Sequence, residues 1–142
     1  MPTFLPAKEG FMDGSVQLIT PVIKAALVRG YTQNRAHRFV SQITTAGGSI
    51  VGTPITLTSK TVIDGVFRAA DSTWTGIAAG TAIPGFLIYQ ASAVTGGADL
   101  AATAQRVIYY GSNAAGLPLT PNGQDISSDW PDADDPNGIF AL

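Results

Sequence analysis

The sequence contains no cysteine and a single histidine, His37. Without cysteine the chain has neither disulfides nor thiolate metal ligands, and one imidazole is too few for a histidine-based metal site within one chain. Glutamate occurs once and lysine three times. Because both residues are common on exposed helices, their scarcity argues against a helical bundle.

Charge is also scarce, at 13% of the 142 residues, which is about half the usual share. The hydrophobic fraction is an ordinary 45%, and this argues against a disordered chain. A weakly charged surface is unusual for a protein that stays alone in solution and suits a chain that packs against others. The low charge therefore favours a protein that works within an assembly.

The charges that are present are unevenly distributed. The first 70 residues carry seven basic and three acidic groups, whereas the remainder carries one basic and seven acidic groups. The absence of an overall basic excess argues against a nucleic-acid partner. The two halves either attract each other between subunits or neutralise each other within one domain, and both interpretations stay open.

No targeting or membrane-spanning segment is expected. The first residues have neither the basic start nor the apolar run of a signal peptide. Two uncharged stretches, 39–59 and 72–98, are interrupted by glycine, proline, threonine and glutamine, so neither is expected to cross a membrane.

The residues that are abundant predict a mainly β fold. Glycine and proline together account for 25 residues, and short apolar runs alternate with turn signals such as Asp64-Gly65. We expect a compact β-sandwich or β-barrel of about seven to nine short strands. One short helix is expected over residues 34–43, where Ala36, Phe39, Val40 and Ile43 fall at helical spacing.

Two domain-level features complete this interpretation. Residues 1–14 contain two prolines and exposed-looking apolar side chains without periodicity, and they predict an extended N-terminal arm. Residues 15–142 are expected to form a single β-rich domain. The apolar C-terminus, which includes Phe140 and Leu142, predicts a docked final strand.

Few residues suggest chemistry. Phosphate-binding loops and nucleophile elbows are absent from the sequence, and His37 lies between Ala36 and Arg38, where a surface or capping role is expected. The acidic residues between Asp125 and Asp135 are the remaining candidates for a hydrolase or a loose cation site. Trp74 and Trp130 are either core residues or a sugar-stacking face, and the core interpretation is favoured.

Several segments resemble a known family. The strongest are KTVIDG at residues 60–65 and GLPLTPNG at residues 116–123, and they are accompanied by shorter matches at 11–14, 23–28, 87–89 and 138–142. Together they resemble a family of small virion proteins of tailed bacteriophages, similar to capsid cement (head decoration) proteins. The resemblance covers most of the chain.

The resemblance implies a structural virion protein without enzymatic activity, cofactor or metal. Its expected partners are the major capsid protein and further copies of itself in a homotrimer, with neither nucleic acid nor membrane. It would be made in the bacterial cytoplasm and would bind the outside of the capsid, where it stabilises contacts between capsomers. Candidate capsid or subunit contacts are Phe4, Leu5, Lys8, Phe11, Met12, Arg35, Arg38, Trp130, Phe140 and Leu142.

Other functions remain open at this point. A component of the neck, tail or fibre would differ from a cement protein mainly in its copy number. A carbohydrate-binding module would use Trp74 or Trp130, and a hydrolase would use the aspartates between Asp125 and Asp135.

Overall fold

The computed structural model describes residues 3–111, 120–128 and 139–141. These residues confirm the mainly β fold, and they contain two helices rather than the one expected. The elements in chain order are α1 (Leu5–Asp13), β1 (Val22–Arg29), α2 (Val40–Thr45), β2 (Ser49–Thr56), β3 (Thr61–Ile63), β4 (Val66–Arg68), β5 (Ser72–Trp74), β6 (Gly85–Ser92), β7 (Arg106–Gly111), β8 (Ile126–Ser128) and β9 (Phe140–Ala141).

The strands of the described residues pair in three antiparallel sheets. The largest has the order β2-β1-β6-β7, a second has the order β3-β4-β9, and β5 pairs with β8. The arrangement is not a closed barrel. Pro54 lies in β2, at the edge of the largest sheet, where a missing backbone N–H is tolerated.

Strand β6 is the most deeply buried element of the fold. All eight of its residues are buried, and Phe86, Leu87 and Ile88 are each at most 1% exposed. Because successive side chains of a strand point to opposite faces, both faces of the sheet must be covered at this strand. Elsewhere on the same sheet, helix α1 packs against β7 and β5 packs against β2.

A series of aromatic rings connects the largest sheet to the β3-β4-β9 sheet. Phe86 lies 5.8 Å from Tyr109, and Tyr109 stacks on Phe140 with ring centroids 5.0 Å apart. Phe140 in turn lies 5.3 Å from Phe67 of β4. Such pairs add about 1 kcal/mol each beyond simple burial. The expectation of a docked final strand is confirmed, because β9 carries the ring at the centre of this series.

The N-terminal segment is not the extended arm that its sequence predicts. Residues 5–13 form α1, while Phe4 is fully buried and belongs to the same hydrophobic core as the strands. The Phe4 N–H donates to Ile108 O at 3.0 Å, and Thr3 forms an antiparallel bridge with Tyr109. These residues therefore cover the outer edge of β7, which would otherwise expose unpaired backbone groups.

The residues that suggested irregular structure instead mark the ends of α1. Pro6 lies in the first turn, where a missing N–H costs nothing, and Gly14 follows the helix with a left-handed φ of 82°. Gly10 allows the helix to approach its own domain closely, since a Cβ built there would lie 2.4 Å from Val16. The proline in the first turn, the glycine at the C-terminal end and the small buried face therefore favour the helix.

The other helix begins later than the expected residue 34. Asn34 instead makes a turn in which its Oδ1 accepts the Ala36 N–H, and Phe39 is extended and bridges to Arg106. Helix α2 starts at Val40. The Gln42 side chain accepts the N–H of Phe39, the residue before the helix, at 3.0 Å. Pairing with β7 therefore overrides the helical spacing of residues 34–39.

Phe4 and its exposed neighbour Leu5 provide a matched test of this packing. Phe4 is 0% exposed and Leu5 is 47% exposed. Phe4→Ala should lower the free energy of unfolding by about 3–5 kcal/mol because it opens a cavity beside β7, whereas Leu5→Ala should change it by about 0.5 kcal/mol or less. Urea denaturation measures both variants. Equal effects would contradict the docked N-terminal segment.

Ionisation of Tyr89, in β6, makes the free energy of unfolding depend on pH in the alkaline range. Burial, with a smaller contribution from Asp99, raises its pKa from 10.0 to about 12. Between these pH values the unfolded chain loses the phenolic proton while the folded chain keeps it, so the stabilisation present below pH 10 is lost as the pH rises through about 12. The free energy of unfolding should fall by about 2–3 kcal/mol across this interval.

Tyr89→Phe is the control, because it removes the titrating group and keeps the ring. Denaturation at pH 9 and pH 12 should show a smaller loss of stability in this variant than in the wild type. The pKa values of Tyr31 and Tyr110 are also raised by burial, so some dependence on pH remains. The same loss in both proteins would contradict the assignment to Tyr89.

Candidate functional site

Five of the expected contact residues lie together on the solvent side of α1 and beside it. Leu5, Lys8 and Met12 are spaced three and four residues apart and share one helix face, with Met12 82% exposed. Pro6, Ala7 and Gly10 form the opposite, buried face. We call the exposed face, together with the adjoining arginines, the α1 surface; it comprises Leu5, Lys8, Glu9, Met12, Arg35 and Arg38.

The segment before α2 brings the two arginines to α1. Arg35 O accepts the Leu5 N–H at 2.8 Å, and Arg35 Nε donates to Thr3 O at 3.1 Å. Arg38 Nη2 lies 3.5 Å from a carboxylate oxygen of Glu9. Backbone pairing of Arg38 O with the Val107 N–H fixes this segment on β7. Residues about 30 positions apart therefore form one surface.

The α1 surface is apolar and basic. The surface as defined carries three cations, Lys8, Arg35 and Arg38, and one carboxylate, that of Glu9, which pairs with Arg38. Asp13, at the end of α1, also lies close enough to Arg38 and Arg106 for their charges to help lower its pKa, after its hydrogen bonds with Ser15. Both side chains of the Arg38–Glu9 pair are largely exposed, at 43% and 66%, so the pair contributes little to stability. Such a surface is suited to a partner that offers carboxylates around an apolar contact.

The side chain of Arg106, in β7, connects α1 to the largest sheet. Its Nη2 donates to Pro6 O at 3.2 Å, and its guanidinium lies 6.0 Å from the centre of the Phe39 ring. A Cβ built on Gly10 would lie 3.0 Å from the same Nη2. Arg106, the only cation in residues 71–142, thus holds α1. The spacing of residues in the sequence did not indicate this contact.

Two other expected contact residues, Phe4 and Phe140, are buried. Phe4 and Phe140 are buried at 0% and 4% exposure, so their assignment as contacts is wrong for the folded chain. Phe11 is half-buried against the core. Trp130 and Leu142 lie outside the described residues.

A second exposed surface was missed by sequence reasoning. Strands β3 and β4 form a hairpin whose two-residue turn, Asp64-Gly65, has φ values of 52° and 76°, as a type I′ turn requires. Every residue of β3 is exposed, with Val62 at 45% and Ile63 at 54%. We call Thr61–Arg68 the hairpin. The turn signal was recognised in the sequence, but the exposure of both apolar residues was not.

The hairpin is fixed at its base. The Lys60 amine donates to Pro21 O at 2.5 Å, and burial lowers its pKa. Beyond the hairpin, the Ala70 N–H donates to Thr58 O at 2.9 Å. Strand β4 pairs with β9 on its other side, which leaves β3 at the edge of its sheet. An apolar edge strand of this kind is a template for pairing with another chain.

The remaining candidates from the sequence that the structure describes are buried or hydrogen-bonded within the fold. Trp74 is 1% exposed, as the core interpretation expected, and it cannot stack on a sugar. His37 Nδ1 lies 2.9 Å from the Tyr31 hydroxyl, within the turn before α2. Asp125 Oδ1 accepts the Gly76 N–H at 2.7 Å; the other aspartates up to Asp135 lie outside the described residues.

Comparison with protein-family models, with curated proteins and with solved structures finds no match for this chain.

Within residues 3–111, 120–128 and 139–141, no three histidine, aspartate or glutamate side chains lie close enough together to hold a metal ion. The helices in this part of the chain are too short or too polar to cross a membrane.

Arg106 and Arg38 provide a test of how α1 is held. Arg106→Met keeps much of the side-chain volume but removes the charged donor to Pro6 O, and should lower the free energy of unfolding by about 1–3 kcal/mol. Amide hydrogens of α1 should exchange faster in this variant. Arg38→Met, which removes only the exposed pair, should cost about 0.5 kcal/mol or less. Unchanged exchange in Arg106→Met would contradict the role of Arg106.

Proposed function

We propose that this chain is a structural virion protein that binds the outside of a bacteriophage capsid and stabilises contacts between capsomers of the major capsid protein, as a homotrimer. The observation that carries the proposal is the hairpin. The segment that most resembles cement proteins, residues 60–65, contributes its exposed β3 strand and turn. The resemblance and the exposed apolar edge therefore coincide in the same residues.

The physical properties of the hairpin suit a cementing contact. An exposed edge strand with Val62 and Ile63 on its surface is a hazard in a free protein and becomes favourable when a partner strand covers it. The Asp64-Gly65 turn and the anchored Lys60 fix its shape, so little conformational entropy is lost on binding. Modest affinity per copy suffices where many identical contacts act on one shell.

The α1 surface supports the proposal as a second contact. Lys8 lies on a helix that packs against β7, and backbone hydrogen bonds hold the Arg35–Arg38 segment beside that helix and on β7. Basic groups at the rim of an interface steer association and select partners more than they add affinity. The acidic second half of a neighbouring copy, or an acidic capsid surface, is the complementary partner for such a rim.

The number of copies per particle tests the proposed place in the virion. Quantitative mass spectrometry of purified particles should give copies comparable in number to the major capsid protein. A few copies to a few dozen would instead favour the neck, tail or fibre. Absence from the particle would overturn the structural function altogether.

Substitutions in the hairpin test the proposed contact. Val62→Ser with Ile63→Ser should reduce binding to capsids that lack this protein by about tenfold or more, since two apolar side chains would no longer be buried. Stability should change little because both side chains are already about half exposed. Val94→Ser, at a residue 61% exposed outside the hairpin, is the control. Equal binding by all three proteins would contradict the proposed contact.

A further inference from the structure

The chain carries two segments of opposite charge. Around α1 there are four cations and two carboxylates: Lys8, Arg35, Arg38 and Arg106 against Glu9 and Asp13. Residues 129–135, DWPDADD, contain four aspartates and no cation. We call them the acidic segment; they lie outside the described residues. Opposite charges of this kind favour contact between the two segments.

The α1 surface is accessible to a partner. Met12 is 82% exposed and Leu5 is 47% exposed. The side chains of Arg38 and Glu9 are 43% and 66% exposed, and the distance between their charged groups is 3.5 Å. Such an exposed pair is weak, and a guanidinium has five N–H donors. Arg38 can therefore bind a second carboxylate without loss of the fold.

The composition of the acidic segment is complementary to this surface. Leu5 and Met12 lie on the same helix face as Lys8, so apolar side chains stand beside the cations. Trp130 is the aromatic residue of the acidic segment, and it follows Asp129 directly. An indole ring packs favourably on a thioether, and tryptophan is enriched among the residues that dominate interfaces. A ring accompanied by carboxylates is the chemistry that the α1 surface fits.

Both ends of the acidic segment are attached to described strands. Ser128 of β8 pairs with Ser72 of β5, and the Ile139 N–H donates to Phe67 O at 2.7 Å. At about 3.4 Å per residue, the middle of the ten-residue connection between Ser128 and Ile139 can extend at most roughly 17 Å from these attachments. That reach is enough for contact with a neighbouring molecule.

The symmetry of a homotrimer favours contact between copies over contact within one copy. A ring of three identical chains is closed by heterologous interfaces, in which each copy uses two different surfaces. The α1 surface and the acidic segment are two different surfaces of opposite charge on the same chain. Each copy can therefore offer one to each neighbour, and every interface of the ring is satisfied in the same way.

We propose that the α1 surface of one copy binds the acidic segment of the next copy, with Trp130 against Met12 and the aspartates beside Lys8 and Arg38. The inference rests on the homotrimer of the proposed function and names the contact that forms it. The hairpin is not part of this contact and stays available to the capsid.

Charge reversal tests the electrostatic part of the contact. Wild-type protein at about 10 μM should sediment as a trimer. Lys8→Glu with Arg38→Glu should weaken self-association at least about tenfold, and so should Asp132→Lys with Asp134→Lys. A chain with all four substitutions should associate at least about threefold more tightly than either, because its charges are exchanged and remain complementary. Equal association of all four proteins would overturn the inference.

Salt provides a test that needs no variant. Because exposed charges are screened, raising sodium chloride from about 0.05 M to about 0.5 M should weaken the wild-type trimer at least about tenfold. A trimer that is unchanged or tighter at high salt would contradict a contact between the basic and acidic segments, even if the charge-reversed chains did not fold.

A double-mutant cycle tests the apolar part of the contact. Met12→Ala and Trp130→Ala should each weaken self-association at least about threefold, and the double variant should lose less than the product of the two effects, because they remove the same contact. Ile19→Ala, at a residue 50% exposed outside the α1 surface, is the control and should associate like the wild type. Independent effects of the two substitutions would contradict the pairing of these side chains.

Thermal unfolding of the diluted monomer distinguishes contact between copies from contact within one copy. Coupling of Met12 and Trp130 in the unfolding midpoint of the monomer, with none in self-association, would place the acidic segment on its own α1 and overturn the inference. Coupling in self-association alone supports it.

The outcomes also separate this inference from the proposed function. Trimers that ignore every substitution but still bind capsids would overturn the inference alone. Trimers that depend on these residues but do not bind capsids would support the inference and contradict the proposed place in the virion. Wild-type protein that stays monomeric at all concentrations would overturn both the homotrimer and this contact.

Discussion

The burial of both faces of β6 is the constraint on which the rest of the fold depends. An antiparallel sheet can leave one face in water, but Phe86 and Leu87 lie on opposite faces of this strand and both are buried. The chain must therefore supply cover on two sides from elements that are distant in sequence. Helix α1 packs against β7, β5 packs against β2, and Phe140 of β9 stacks on Tyr109 of β7, so these distant elements cover the strands of the same sheet.

The aromatic series shows how the cover is attached. Tyr109 contacts Phe86 on the neighbouring strand and stacks on Phe140, which contacts Phe67 in another sheet. The two-stranded β5-β8 sheet would be marginal alone, and the three-stranded β3-β4-β9 sheet needs a packed apolar face to be stable. Rings shared between two of them make their stabilities interdependent, so the last residues of the chain stabilise a hairpin that begins near its middle.

The sequence was sufficient where local chemistry decides the structure. Asp64-Gly65 adopts the turn expected of it, and the apolar C-terminus forms a final strand. It was insufficient where a distant partner decides. The helical spacing of residues 34–39 yields to pairing with Arg106, which is remote in sequence. The N-terminal segment was interpreted as an extended arm, although Pro6 lies in the first turn of α1 and Gly14 directly follows its last residue.

The candidate site could likewise be predicted from the sequence only in part. The sequence analysis named Lys8, Arg35 and Arg38 among the candidate contacts, but only the pairing of residues 38–39 with β7 brings the arginines to α1. For Val62 and Ile63 the alternation of a short strand gave no indication that both would be exposed. A three-residue edge strand has too few side chains for its buried face to be recognised from periodicity.

Burial distinguishes the N-terminal residues that stabilise the core from those that are exposed for contact with a partner. A mobile apolar arm would use Phe4 and Phe11 for attachment, and its removal would leave the domain intact. In the folded chain Phe4 belongs to the core, while Leu5 and Met12 on the next turns are exposed. Loss of the whole segment therefore removes part of the hydrophobic core together with any contact surface. Attachment can be distinguished from folding only through side chains that are exposed in the free protein, and the α1 surface and the hairpin provide them.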